Sequence, residues 1–329
     1  MAKKSDQNSV SKGGFRRFIT KSSQDYAIIY MLLGLFILLS LTANNFLTLN
    51  NMINVFRQSA IFGILAAGEF FVIISGMIDL SISSTAALAG IIFAMIIKAG
   101  GVALMPVAIV AGLLAGIIVG IINGLLVAKL EIPPFIATLG SFLYVRGIVY
   151  LSTGAYPIVS LPKEYNFIGR GFVSGVPFPV IIMAIIYVIS IVLSEKKKIG
   201  RFFYAIGGNE EAAYLSGISS VKIKTLAYAV CGLMASVAGI ILMSRLGSGQ
   251  PNAAIGYEFE AIIAVVLGGV SFSGGKGKAL NVLFGTLFIA MLVNGMTILN
   301  INPFAQQVIK GIVFILAIWN DVVRNKVSR

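Results

Sequence analysis

The chain of 329 residues contains no histidine and a single cysteine, Cys231. Without histidine there are no imidazole metal ligands, no Ser-His triads and no histidine proton relays, and one cysteine can close no disulfide within the chain. Charge is scarce as well: 11% of the residues are Asp, Glu, Lys or Arg, while 58% are hydrophobic. Soluble domains carry about 25% charge and need it to clothe their surface. A water-soluble globule is therefore excluded, and the composition is that of a polytopic membrane protein.

What the sequence has in quantity is long charge-free apolar runs, at residues 26–56, 80–97, 99–128, 171–194, 225–244 and 279–309. An α-helix needs about 20 apolar residues to cross roughly 30 Å of hydrocarbon, whereas a transmembrane β-barrel shows short alternating segments. These runs are continuous, so the expected fold is all-α, a polytopic transmembrane helical bundle. With Pro, Gly, Asn and charge as punctuation, the pattern predicts about ten spans, near 27–43, 52–76, 80–97, 103–128, 134–152, 178–194, 222–245, 258–272, 280–299 and 304–322. The first run is too long for a signal-peptide core and lacks a small-residue cleavage site, so it reads as a retained anchor.

The net charge of +13 reports orientation. With the N-terminus in the cytoplasm, a basic tail at 1–25, Lys129, the segment around Lys196–Lys198 and Arg201, Lys276, Lys278 and a tail at 324–329 share one side, as the positive-inside rule requires. A nucleic-acid surface is the weaker reading, because these charges sit in short segments beside spans with no aromatic interleaving. Between the tails, residues 26–323 form the membrane domain. It has two long connections, an outer one at 153–177 and an inner one at 195–221, each a candidate docking site for a soluble partner or a solvated connector.

Within the spans, Gly112, Gly116, Gly120 and Gly124 recur every fourth residue, a stripe along which another helix backbone can approach closely, either inside one bundle or across a dimer. Glu69, Asp79, Arg146, Arg245, Glu258, Glu260 and Lys310 fall within or at the ends of apolar segments, where a central charge costs on the order of 3 kcal/mol. Arg245 and Glu258 sit at expected membrane edges and can snorkel, and Asp79 can cap the third helix beside Ser81. Glu69 either pairs with a neighbouring span or lines an aqueous path, and Gln306 and Lys310, one turn apart, make a polar face on the last helix. On the inner connection, Gly207, Gly208 and Asn209 can start a short helix whose first turn holds Glu210 and Glu211 and which Gly217 ends.

These pieces, in order, resemble the permeases of the ribose-type branch of bacterial ABC importers, over nearly the whole chain. The matching elements are Asn45-Phe46-Leu47-Thr48 with Asn50-Asn51, Ile78-Asp79-Leu80-Ser81, Pro134-Phe135-Ile136-Ala137-Thr138-Leu139 with Arg146-Gly147, and the segment Gly207 to Ile218. They continue with Arg245-Leu246, Gln250-Pro251, and Ala264-Val265-Val266-Leu267-Gly268-Gly269 leading to Ser273-Gly274-Gly275-Lys276-Gly277. Met77 and Ser83 stand where the family commonly has Gly, and Glu69-Phe70 where many members have an uncharged residue and Thr. The resemblance implies a type II importer fold in the bacterial cytoplasmic membrane, with both termini cytoplasmic. It also implies that Gly208, Asn209, Glu210, Ala212, Ala213, Ser216, Gly217 and Ile218 form the coupling helix that docks into an ATPase.

The expected partners are thus a second permease subunit, identical or not, a cytoplasmic ABC ATPase, an extracytoplasmic substrate-binding protein and the lipid bilayer, with no nucleic acid. The chain has no Walker A loop and no acid-base, nucleophile or metal cluster, so it is expected to be no enzyme and to bind no cofactor; ATP and Mg belong to the ATPase. The function expected is import of a ribose-like monosaccharide or related small polar solute, with Glu69, Asp79, Ser81, Thr138, Arg146, Gln306 and Lys310 as candidate path residues. The alternative is a secondary transporter driven by an ion, with Glu69 and Asp79 as coupling carboxylates.

Overall fold

The structure, a computed structural model, describes residues 27–327, with side chains through Val323. The basic tail expected over residues 1–25 lies outside the described residues, as do positions 328 and 329 and the side chains of Arg324 and Lys326. The helices follow the chain as α1 (Ala27–Thr42), α2 (Leu49–Ile74), α3 (Ile82–Gly100), α4 (Met105–Ala128) and α5 (Pro134–Thr153). Then come the four-residue α6 (Phe167–Arg170), a hairpin of β1 (Phe172–Val173) and β2 (Val176–Pro177), and α7 (Phe178–Ile191). The second half holds α8 (Lys198–Gly208), α9 (Glu210–Leu215), α10 (Ser220–Leu246), α11 (Tyr257–Leu267), α12 (Ala279–Ile298) and α13 (Pro303–Val327).

Local chemistry sets these boundaries. Pro134 opens α5, where its missing N–H costs nothing, and Gly154 closes it in the left-handed conformation at φ +60°. Ser219 caps α10, and Gly247 ends it at φ +77°. Each of the ten expected spans coincides with a helix. Among the described residues, eight helices are long and apolar enough to cross a membrane. The other two are shorter: α1 has 16 residues and α11 only 11. At 1.5 Å per residue α11 extends about 16 Å, half a bilayer, so it is a half-helix.

At the centre of the bundle, α2 and α10 pack together, and α10 also lies along α3 and α4. Every residue of α2 from Ser59 to Ile74 is buried, charged Glu69 included. On the other side of α2 stand α7, α11 and α12; α1 leans on α12, and α13 rests on α11 with most of its surface uncovered.

The glycine stripe lies inside this bundle. A Cβ on Gly116 would overlap Ser236 Oγ and the Gly232 carbonyl oxygen, one on Gly120 the Tyr228 carbonyl, and one on Gly124 the Thr225 backbone. Gly232 of α10 reciprocates against the Gly116 carbonyl. Each helix thus presents bare backbone to the other, which brings α4 and α10 into close contact.

The connection at 153–177 is largely exposed but anchored to the bundle at its middle. Tyr165 is fully buried and stacks on Phe93, with ring centroids 5.0 Å apart. Ser244 Oγ of α10 donates to the Tyr165 carbonyl at 2.6 Å and accepts from Gly169 N–H at 2.7 Å. Tyr165, Ile168 and Gly169 hold the segment to the bundle, whereas Tyr156, Phe167 and Phe172 stay exposed.

Candidate functional site

Four groups of polar residues stand out. The first lies deep between α2, α3, α4, α5 and α10. Glu69 Oε1 accepts from Asp79 N–H at 3.0 Å, and Asp79 Oδ1 accepts from both Ser81 N–H and Ser81 Oγ, at 2.8 and 2.6 Å. Ser81 Oγ in turn accepts from Asn123 Nδ2 at 2.8 Å, and Asn123 Oδ1 accepts from Ser141 Oγ. Cys231 Sγ sits 3.7 Å from Glu69 Oε2, and the Ile78 carbonyl accepts from Tyr228 OH at 3.0 Å. Thr138 Oγ1 donates to the Pro134 carbonyl at 2.8 Å beside the same turn. All these side chains are buried.

Glu69, Asp79, Ser81 and Thr138 are therefore brought together, but inside one chain. Asp79 does not cap α3 as expected: that helix begins at Ile82, Ser81 occupies the cap position, and Asp79 ties Ser81 from two residues upstream. Asn123 and Ser141 were missed by sequence reasoning, although an Asn in the middle of a charge-free run was a usable signal.

The arrangement separates two substitutions. Asp79→Ala leaves Ser81 N–H and Oγ buried without an acceptor and should lower stability in detergent by about 2–4 kcal/mol. Asp79→Asn keeps one acceptor oxygen and should cost less than about 1 kcal/mol. Thermal unfolding of the two variants by size-exclusion recovery checks the difference; equal melting would show that the carboxylate does not hold this turn.

A second group lies on α11 and α13 and around Arg146. Arg146 Nη1 donates to the carbonyls of Pro251 and Ala253, at 2.9 Å each, pinning the segment that leads into α11. Lys310 Nζ is 2.6 Å from Glu260 Oε1. Gln306, expected to share a polar face with Lys310, instead donates to the Ile301 carbonyl at 2.9 Å. Arg146, Gln306 and Lys310 make no bond with the Glu69–Asp79 group. Glu258, expected to snorkel, is 5% exposed.

The third group is at the end of the bundle where α2 stops. Gly207 and Gly208 close α8, and Asn209 Oδ1 caps α9 by accepting from Ala212 N–H at 2.9 Å. Glu210 and Glu211 occupy the first turn, and Gly217 follows the helix at φ +81°. Glu210, about half exposed, pairs with Lys224 at 2.6 and 2.7 Å. Tyr214 and Leu215 are exposed, whereas Ala213 is buried against α8 and α10.

The base of this helix meets two other turns backbone to backbone. Gly275 N–H donates to the Ile74 carbonyl at 2.8 Å, and Gly275, at φ +72°, abuts Gly208. A Cβ on Gly207 would overlap the Ile74 carbonyl, and one on Gly274 would lie 2.7 Å from Gly76 N. Tyr204 OH of α8 donates to the Gly277 carbonyl at 2.9 Å; burial pushes this phenol upward, which keeps it protonated as the donor. Beside the contact is a cleft of about 560 Å³ that includes Ser75, Gly76, Glu131, Gly207, Glu210 and Lys224.

The fourth group is at the opposite end. Arg57 Nη2 donates to the Arg170 carbonyl, Arg170 Nε donates to the Arg245 carbonyl at 2.6 Å, and Arg57 lies over the Phe172 ring, 4.7 Å from its centroid. Among the described residues, no three of His, Cys, Asp and Glu converge as metal ligands would.

Residues 51–318 match the family described as "Branched-chain amino acid transport system / permease component". The chain is similar to the ribose import permease protein RbsC of Bacillus subtilis (strain 168), 46% identical over 295 residues, which are 88% of this chain and 91% of that one. It is 40% identical over 311 residues to RbsC of Escherichia coli (strain K12), covering 93% and 96% of the two chains. It is also 37% identical over 304 residues to the L-arabinose transport system permease protein AraH of the same strain, 92% of each. No solved structure matches the chain.

Proposed function

From the premise that the chain belongs to the branched-chain amino acid transport system / permease component family, in its ribose-type ABC importer branch, we propose that it forms the membrane path of an ATP-driven importer for a pentose or similar monosaccharide. Members of this family are transport subunits and not enzymes, so ATP is bound with Mg and hydrolysed on a partner ATPase. The end bearing α9 is cytoplasmic in this reading, with both termini on that side. The arginine group at the other end suits an acidic surface on a substrate-binding protein. The path itself opens between this chain and a second permease subunit, and Glu69, Asp79, Ser81, Thr138 and Arg146 support its walls from behind.

The observation that carries the reading is the seat of α9. A six-residue helix with two exposed apolar side chains projects from the bundle, and its base abuts the end of α2 and the glycine turn after α11. Because those contacts are backbone on backbone, a displacement of α9 passes to α2 and α11 with little slack. Alanine at Gly274, where φ is +83° and Gly76 is in contact, should then cut uptake by about tenfold, while the ATPase still co-purifies. Unchanged uptake would remove this turn from the transmission.

The experiment that tests the function is uptake of D-ribose and L-arabinose into proteoliposomes holding this chain, its ATPase and its binding protein. Uptake should require ATP and all three proteins and should survive an ionophore. Uptake by this chain alone that collapses with the ionophore would make it an ion-coupled transporter instead.

A further inference from the structure

Helix α4 packs on α3, α5 and α10, whereas α7 packs on α2, α6 and α12. The space left between α4 and α7 is a groove of about 350 Å³, floored by Val237, Ile240 and Ile241 of α10 and lined by apolar residues alone. Met105, Ile109 and Leu113 of α4 form one wall, one residue per turn from the first residue of the helix. At 1.5 Å per residue the groove runs about 12 Å inward, close to one leaflet of a hydrocarbon core roughly 30 Å thick. These three side chains are partly exposed, so the wall is open to an occupant.

The mouth of the groove has the opposite character. An adjoining hollow shares Met105 and Phe167 with it and adds Lys163, Glu164 and Arg170, all three exposed. Behind Arg170 stand Arg57, which donates to the Arg170 carbonyl, and Arg245, whose carbonyl accepts from Arg170 Nε. Among the described residues none of these four cations pairs with a carboxylate, Glu164 included. The unpartnered Arg57 Nε and Asn166 Oδ1 nearby are enclosed and take no part. Four cations against one carboxylate thus leave a positive excess where an apolar groove meets the water boundary.

A soluble acidic protein matches the cations but has no use for the groove. A second copy of this chain, with a net charge of +13, fills the groove but is a poor source of the anion. A phospholipid supplies both, an acyl chain below and a phosphate above. Among headgroups, a zwitterionic amine would bring its own cation into the positive field, so a head of net negative charge is favoured. We propose that the groove between α4, α7 and α10 is a site for phosphatidylglycerol, with one acyl chain along Met105, Ile109 and Leu113 and the phosphate between Lys163 and Arg170. The site is separate from the solute path and independent of which solute is carried.

The test uses the full-length chain in nanodiscs. Trp319→Phe removes the chain's only tryptophan, and Phe178→Trp places a fluorescent reporter in the groove lining. Lipids brominated on the acyl chain, each at the same small fraction in unbrominated phosphatidylcholine, are compared as quenchers. Brominated phosphatidylglycerol should bind beside position 178 about fivefold better than brominated phosphatidylethanolamine, the ratio expected of one cation near an anionic headgroup. With the reporter introduced instead by Ile37→Trp, on the 57% exposed face of α1 away from the groove, the two lipids should quench alike. Lys163→Gln removes an exposed cation with no partner and should bring the ratio at position 178 below about twofold; adding Arg170→Gln should bring it to one, and Lys163→Gln suffices if the double variant folds poorly. Molar salt should also erase the preference, whereas inorganic phosphate at matched ionic strength should do no more than chloride. Equal quenching by the two lipids at position 178, the same preference at position 37, a preference that survives Lys163→Gln, or specific displacement by phosphate would each overturn the site. Little quenching by any brominated lipid would overturn it as well and give the groove to a protein surface, such as a second copy. Loss of binding-protein-dependent uptake in Lys163→Gln with the lipid preference intact would assign these cations to the binding protein instead.

Discussion

Leucine at Gly116 is expected to leave little folded protein in detergent. Even a methyl group there would overlap Ser236 Oγ and the Gly232 carbonyl oxygen, and a carbonyl in the middle of α10 cannot swing aside as a side-chain tip can. Overpacking a core typically costs about 1–3 kcal/mol; with backbone on the other side, leucine should exceed that range, because α4 and α10 must separate along their length. Alanine should fall within it. Gly34 is the control, since a Cβ there meets nothing within 4 Å, and alanine should leave the protein unchanged. The measurement is the monodisperse fraction recovered by size exclusion after graded heating. If Gly116→Leu melts like the parent, the α4–α10 crossing is wrong.

Lysine at Glu210 is expected to abolish transport while sparing the fold. The substitution replaces the ion pair with Lys224 by two like charges and puts a cation in the first turn of α9, a dipole penalty of only about 0.3–1 kcal/mol at an exposed site. Insertion and yield should therefore match the parent. At a docking surface the reversed charge acts on a partner as well, and uptake should fall by more than tenfold, which requires only about 1.4 kcal/mol. Co-purification of the ATPase and sugar uptake are read together. Wild-type values of both in Glu210→Lys would mean that α9 is not the docking element.

How legible the molecule was in its sequence depends on the range of the forces involved. The helix α9 rests on neighbours in the chain: Asn209 reaches Ala212 N–H three residues on, and Gly217 supplies the left-handed turn that ends it. Such short-range chemistry reads directly from residue order. Amphipathic α8, just before it, was missed, because its buried Gly200, Phe203 and Ile206 have meaning only against the bundle they cover. Glu258 shows the same limit. At an expected membrane edge it reads as a snorkelling charge, yet α11 is a half-helix that begins at mid-depth, where Tyr257 packs on Phe62 midway along α2, so Glu258 lies buried beside a cavity.

The sequence by itself determined that this is a multi-pass helical membrane protein and where its ten apolar helices lie, because the cost of exposing backbone and charge to hydrocarbon acts on each segment separately. Its motif order also identified the family. Only the tertiary structure decided which surfaces meet. It set the α4 stripe against Gly232 and Ser236, enclosed Glu69 and Asp79 with Asn123 and Cys231, and brought Gly76, Gly207 and Gly274 to one point. Those contacts join residues far apart in the chain, and close packing, which depends on the shape of both partners, is invisible in the composition of either one.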